Sequence, residues 1–250
     1  MIDIHCHLPF QISDGPESVE DAECILTKAA EDGVDFITAV AHYGKYLDEL
    51  KASVERLREK ADKLGITLHP TFEYDYVQLD EVKPEEFQFV GPDCHYILLD
   101  FHRSNIPYSA PMRLFELTGK NIGIVIVHPE KLFKISMLPM LQRFVDGGMV
   151  LQVNAVSFLP DSPPQVRKMA HLMMRKGLVQ VIASDAHRKV GVRRYAMAEA
   201  RKVVEKTYGA QTAELLFEVN PRRILEDQPP FEMPVIMSWW ERLKRRWTGR

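Results

Sequence analysis

Cysteine is scarce in this chain: Cys6, Cys24 and Cys94 are far apart and odd in number. They form no disulfide framework and no CxxC zinc motif, so reduced, mostly buried thiols are expected. A run of about 20 apolar residues is missing, which excludes a transmembrane helix as the expectation. The opening residues have no basic stretch followed by an apolar core. No secretory signal is therefore read, and a cytoplasmic location is expected. Excess positive charge is missing too, with 32 Lys and Arg against 35 Asp and Glu and a net charge of −3. Without a global positive field or a basic–aromatic groove, nucleic acid is not an expected partner. Neither an internal repeat nor a low-complexity segment occurs.

What is present is a regular alternation. Short β-branched runs at Ile2–Cys6, Phe36–Ala41, Thr67–Phe72, Tyr96–Phe101, Ile122–Val127, Val150–Asn154 and Val179–Ala183 read as strands. Amphipathic stretches near 18–32, 47–64, 108–119, 136–147, 163–176 and 193–208 read as helices. Gly33, Gly65, Gly119, Gly177 and Gly209 follow them as stop signals. Such alternation favours parallel strands joined by crossover helices. At 250 residues the chain suits one α/β barrel. An open doubly wound sheet is the alternative. Residues 82–93 read as an irregular connection and Pro221–Leu225 as a last short helix. The expected organisation is one barrel domain over residues 1–228 and a C-terminal tail over 229–250.

The chemistry concentrates at predicted strand ends. His5 and His7 stand two apart in Ile-His-Cys-His, and a strand turns such a pair to one face, with Cys6 away from it. Asp185 and His187 repeat the spacing in Ser-Asp-Ala-His. His42, Glu73, Asp100 and His128 close or follow other predicted strands, the end where α/β barrels carry their active sites. Asp14 lies in Ser-Asp-Gly-Pro, a good turn sequence that also suits a ligand loop. Imidazoles and carboxylates gathered in this way suit divalent ions such as Zn²⁺, Mn²⁺ and Fe²⁺. A metal-dependent hydrolase is the reading these residues support, and Glu73 could bridge two ions.

These motifs, with Phe-Glu at 72–73, His-Pro-Glu at 128–130 and Glu-Leu-Leu-Phe-Glu-Val-Asn-Pro-Arg-Arg-Ile-Leu at 214–225, resemble the polymerase-and-histidinol-phosphatase superfamily. More narrowly, the chain resembles the bacterial manganese-dependent protein tyrosine phosphatases of capsule and exopolysaccharide gene clusters. The resemblance implies a distorted, TIM-like (β/α)7 barrel with a trinuclear centre, Mn²⁺ foremost and Fe or Zn²⁺ as alternatives. It implies that His5, His7, Asp185 and a bridging Glu73 hold one ion, Asp100 and His128 complete a second, and Asp14, His42 and His187 hold a third. Asp100 stands where the family commonly has Glu. The implied substrate is a phosphotyrosine protein, with a bacterial tyrosine kinase as partner.

Phosphate calls for cations beyond the metals, and an Arg fork grips it more directionally than a Lys. The family commonly reads His-Pro-Glu-Arg; here the position is Lys131. A second family Arg follows the Asp-Ala-His motif, where this chain offers Arg193 and Arg194 after an apparent one-residue insertion. Arg188 and Arg103 are further candidates. No C-x5-R loop occurs, which turns the expectation away from a phosphocysteine route and toward attack on phosphorus by a metal-activated hydroxide. A phenolate leaves with little protonation, since its conjugate acid has a pKa of about 10, and this favours aryl phosphate. A histidinol-phosphate-type phosphatase, a phosphodiesterase and a non-catalytic metal-bearing scaffold stay open as rivals. The Trp- and Arg-rich segment Met237–Trp247 has two readings: an interfacial helix in peripheral contact with anionic lipid, or a terminal element docked on the barrel or disordered.

Overall fold

The computed structural model describes residues 1–102 and 106–236. Arg103 and the segment from Met237 onward, with its expected membrane contact, lie outside the described residues. Seven parallel strands form one sheet in chain order: β1 (Ile2–Cys6), β2 (Phe36–His42), β3 (Thr67–Asp75), β4 (Tyr96–Asp100), β5 (Gly123–Val127), β6 (Val150–Asn154) and β7 (Val181–Ala183). The sheet curls until β1 meets the residues just past β7. There Asp185 N–H donates to the His5 carbonyl at 2.7 Å and His7 N–H to the Ala186 carbonyl at 2.9 Å. The result is a TIM-like barrel nearly closed by seven strands, not the open doubly wound sheet.

Strands buried on both faces need near-continuous apolar sequence, and β4, β5 and β6 read Tyr-Ile-Leu-Leu-Asp, Gly-Ile-Val-Ile-Val and Val-Leu-Gln-Val-Asn. One set of their side chains fills the barrel: Ile2, Ile4, Leu98, Val125, Val127, Val181 and Ala183 pack together. The other set, including Ile97, Leu99, Ile126 and Leu151, meets the helices outside. Each such fully buried side chain contributes roughly 1.5–3 kcal/mol by leaving water. The outer layer is α1 (Val19–Glu31), α2 (Leu47–Lys63), α3 (Ala110–Thr118), α4 (Pro129–Leu132), α5 (Leu138–Asp146), α6 (Pro164–Arg175), α7 (Met197–Tyr208), α8 (Ala210–Glu214) and α9 (Asn220–Leu225). Leu50, Val54, Leu57 and Ala61 of α2 repeat at the three-to-four spacing of a single helical face, and that face is buried. Ser18 caps α1 by accepting the Asp21 N–H at 3.2 Å.

Two irregularities position the site. First, β3 and β4 are joined without an α-helix, only by 3₁₀ turns at Tyr76–Asp80 and Pro84–Glu86. Second, β1 carries a bulge: its pairing with β2 runs Ile2 to Phe36 and Asp3 to Ile37, then skips to Cys6 opposite Ala39. A bulge re-aims the side chains that follow it. Ile2 and Ile4 pack inside the barrel, whereas Cys6 and Leu8 join the outer layer, so His5 and His7 also face inward. Asp3 holds this kink. Its Oδ1 accepts the N–H of His5 at 3.2 Å and of Ser184 at 3.0 Å.

Gly177 ends α6 at φ +69, and a Cβ there would lie 2.5 Å from the Met233 carbonyl oxygen. A side chain at 177 would push away the extended segment 229–236. That segment is tied down by Phe231 N–H on Asn220 Oδ1 at 2.8 Å and Ile236 N–H on the Arg175 carbonyl at 2.8 Å.

Candidate metal centre

The carboxyl ends of the strands bring every expected ligand to one mouth. His42 and Asp100 are the last residues of β2 and β4, Glu73 lies in β3 level with His42, and His128 follows β5 directly. His5 Nε2 and His7 Nε2 are 3.1 Å apart. Glu73 Oε2 lies 3.5 Å from His5 Nε2, 3.0 Å from His7 Nε2 and 3.4 Å from His42 Nδ1, and its Oε1 lies 3.1 Å from His128 Nε2. Asp185 Oδ1 lies 3.6 Å from His5 Nε2, and Asp14 Oδ2 lies 3.3 Å from His187 Nε2. Above them opens a cavity of about 440 Å³.

Three groups have donor atoms all within 4.8 Å of one another: His7, Asp14, His42 and His187; His5, Glu73 and His128; His5, His7 and Asp185. Asp100 lines the cavity, with Oδ1 3.7 Å from His128 Nδ1, but belongs to none of the three groups. Its chain is one methylene shorter than Glu, and it stands beside His128 and His102.

The charges and orphan atoms fit cations. Burial works against a proton on His5, yet the charges of Glu73 and Asp185 outweigh it and lift the group to about 9. Burial and the neighbouring His187 push His7 down to about 3. Two adjacent rings thus pull opposite ways over one set of carboxylates. Burial opposes the charge on Glu73, but His5, His128 and His7 hold it well below the usual carboxylate range. Asp185 is held low in the same way by Lys131 and His128. Buried polar atoms normally have hydrogen-bond partners. Here Asp14 Oδ1, Glu73 Oε2, Asp100 Oδ1, His7 Nδ1 and His128 Nδ1 are buried without one, all on residues lining one cavity. Such a set suits divalent ions bound by nitrogen and oxygen.

Backbone strain also gathers here. His102, His128 and Asp185 adopt φ of 33, 35 and 48, a region that non-glycine residues rarely occupy. The cost is accepted where the side chain must turn into the mouth.

The cations divide clearly. Lys131, on α4, donates to Asp185 Oδ2 at 2.7 Å, and burial and that carboxylate set its pKa against each other, with a net rise. Arg193 reaches Asp14 Oδ2 at 2.8 Å and touches His187 Nε2. Arg194 turns away and is paired with Asp161 and Glu199, each at 2.7 Å. Arg188 donates to the carbonyls of Asp14 and Gly15 at 2.8 and 2.6 Å, and so braces the Asp14 loop.

Four further contributors are not among the residues expected from the sequence. His102 lines the mouth 3.5 Å from Asp100, and Asp-x-His at 100–102 repeats the spacing of Asp-Ala-His at 185–187. From β6, Gln152 Oε1 accepts from His5 Nδ1–H at 2.9 Å, and Asn154 Nδ2 donates to Asp185 Oδ2 at 2.5 Å. Two amides spaced i, i+2 on an otherwise apolar strand were the signal. Glu130 is buried on α4, raised by that burial, and accepts from Ser157 Oγ at 2.6 Å and Asn154 N–H at 3.1 Å.

Fold and site together define an α/β-barrel protein with a histidine- and carboxylate-rich centre fit for divalent metal. The family described as capsular polysaccharide synthesis, CpsB/CapC, matches residues 1–226, and this chain belongs to it. Tyrosine-protein phosphatase CpsB of Streptococcus pneumoniae is 28% identical over 243 residues, covering 91% of this chain and 99% of the relative. Tyrosine-protein phosphatase YwqE of Bacillus subtilis (strain 168) is 29% identical over 245 residues, covering 94% and 95%. The crystal structures of YwqE and CpsB from those two species, described as unique metal-dependent tyrosine phosphatases, include a chain that superposes with a TM-score of 0.83. It is 25% identical and covers 94% of this chain and 98% of its own.

Proposed function

We propose that this protein is a metal-dependent protein-tyrosine phosphatase of capsule or exopolysaccharide synthesis, with residues 1–228 as its catalytic domain. The observation that carries the reading is the cavity where three donor groups meet two cations, Lys131 and Arg193, on its rim. His5, His7, Asp185 and Glu73 would hold one ion, His128 with Glu73 and Asp100 a second, and Asp14, His42 and His187 a third. When bound, such ions activate water near neutral pH and neutralise charge on phosphoryl oxygens, with Mn²⁺ as the metal proposed.

The chain's own residues supply the rest. Lys131 from α4 and Arg193 from the loop after β7 present positive charge to a phosphate seated over these residues. Gln152 and the Asp185 carbonyl accept the outward Nδ1–H of His5 and His187, each at 2.9 Å, so that Nε2 of each ring faces the cavity. Phenolate is a good leaving group, since its conjugate acid has a pKa of about 10, and the mouth needs no strong general acid. The proposed partner is a bacterial tyrosine kinase bearing phosphotyrosine. A cytoplasmic setting is supported by three unpaired thiols. Among the described residues no helix is long and apolar enough to cross a membrane.

The test is metal analysis of the purified protein combined with turnover of a phosphotyrosine peptide, p-nitrophenyl phosphate, histidinol phosphate and bis-p-nitrophenyl phosphate, each with Mn²⁺ and after chelation. Metal-dependent turnover of the first two is expected. Preference for histidinol phosphate or the diester, or inertness to all four with metal bound, overturns the reading.

A further inference from the structure

Beside the metal cavity lies a second recess of about 190 Å³. Lys131 and Arg193 line both, so the two spaces meet across the same pair of cations. The walls of the recess are Val156, Pro163, Val166 and Val192. Of its polar residues, Ser157 Oγ donates to Glu130 at 2.6 Å and Asp161 is paired with Arg194 at 2.7 Å, while Ser162 also lines the wall. What remains is an apolar slot, smaller than the roughly 300–1,000 Å³ of a drug-sized pocket and of a size for one side chain.

The other space adjoining the mouth is different in kind. It measures about 230 Å³ and is lined by Tyr43 and Val77 together with the polar His42, Glu73, Asp75, Gln78, Asp100 and His102. Three carboxylates there offer little to an apolar ring. A phosphate held between Lys131 and Arg193 sits beside the recess that the same two cations line, and the recess is the more apolar of the two spaces.

We propose that the recess of Val156, Pro163, Val166 and Val192 holds the aromatic ring of the phosphotyrosine and so sets the preference for aryl over alkyl phosphate. This rests on the phosphatase reading above. The ring contact is present before and during reaction, so its loss raises KM and leaves kcat in place.

Two variants test it. Val166 lies half-buried in the first turn of α6 and Val192 in an exposed loop, so Val166→Gln and Val192→Asn add polarity without added charge or a core cavity. Each is assayed with Mn²⁺ on p-nitrophenyl phosphate and a phosphotyrosine peptide, with inorganic phosphate as inhibitor. The expected result is a KM raised about tenfold or more for both substrates, in the range of a lost apolar pocket contact. Inorganic phosphate, which has no ring, should inhibit variants and wild type alike. A KM that rises for the peptide alone assigns the recess to a flanking residue and overturns the proposal, as does a KM that moves for neither. A metal-loaded wild type inert to both substrates overturns the phosphatase reading, and this inference with it. An active wild type with unaffected variants overturns only the inference.

Discussion

Gln152 accepts the Nδ1–H of His5 at 2.9 Å from a strand that adds no donor of its own to the three candidate metal groups. The same amide donates to Asn154 Oδ1 at 2.9 Å, and Asn154 passes the chain on to Asp185. One buried row thus fixes a histidine and a carboxylate from opposite sides of the barrel seam. Losing an outer partner of a metal-binding histidine typically costs 10–100-fold in affinity. Gln152→Leu should weaken Mn²⁺ binding by about that factor, read by competition with a chelator. Gln152→Glu, which keeps an acceptor for His5, should lose less. Equal affinity in wild type and Gln152→Leu would reduce Gln152 to core packing.

Lys131 and Asp185 make the second pair on which activity should turn, with Nζ and Oδ2 2.7 Å apart. Lys131→Met removes one of the two positive charges shared by both cavities and takes the lysine partner from Asp185. It should lower kcat/KM for p-nitrophenyl phosphate by about 10²-fold, as loss of one preorganised donor does. Lys131→Arg restores the charge as a planar fork suited to two phosphate oxygens, so its KM should fall below that of wild type. If kcat/KM is the same for Lys, Arg and Met at this position, Lys131 does not grip phosphate.

Much of this candidate site was legible because the barrel puts strand ends together and most of the candidate donors stand at or near strand ends. β1 and β6 run over the expected residues. β3 extends to Asp75, three residues past the expected end, because polar Glu73 and Asp75 belong to the mouth and still pair with β4. β7 shortens to Val181–Ala183, although Leu178 and Val179 are buried just before it. The bulge at Asp3–Cys6 has no local sequence signature, since it arises from Asp3 reaching Ser184 across the seam. Which of Arg193 and Arg194 faces the site depends on where the loop turns, and that is set by Asp161 and Glu199, distant in sequence or on another element. Gln152 and Asn154 escaped notice because amides are weak metal ligands, and their role appears only beside His5 and Asp185.

His69 offers a pH test away from the metal ligands. It is half-buried on β3, its Nε2–H donates to the Phe89 carbonyl at 3.2 Å, and burial lowers its pKa. Above about pH 6.5 the ring is neutral folded and unfolded, and it adds no pH dependence. Below that, the unfolded chain takes up a proton that the folded site resists, so stability falls as pH falls. His69→Gln keeps a donor but does not titrate. In metal-free protein, the gap in Tm between wild type and variant should shift in favour of the variant from pH 7.5 to 5. A gap constant across that window would contradict the effect.

Removing metal should destabilise the whole barrel, because the centre joins β1, β2, β3, β5 and the residues past β7. Without cations, five buried atoms on cavity-lining residues lack partners. A ligand that binds only the folded state adds about 2.7 kcal/mol at 100 times its Kd. For a chain of this length each kcal/mol moves Tm by about 2–4 °C, so chelation should lower Tm by about 5–10 °C. Mn²⁺ added back should restore it, and Glu73→Gln, which weakens the shared carboxylate, should blunt both changes. If Tm is the same with chelator and with saturating Mn²⁺, Zn²⁺ or Fe²⁺, these donors do not hold an ion in the folded protein, and the catalytic reading falls with them.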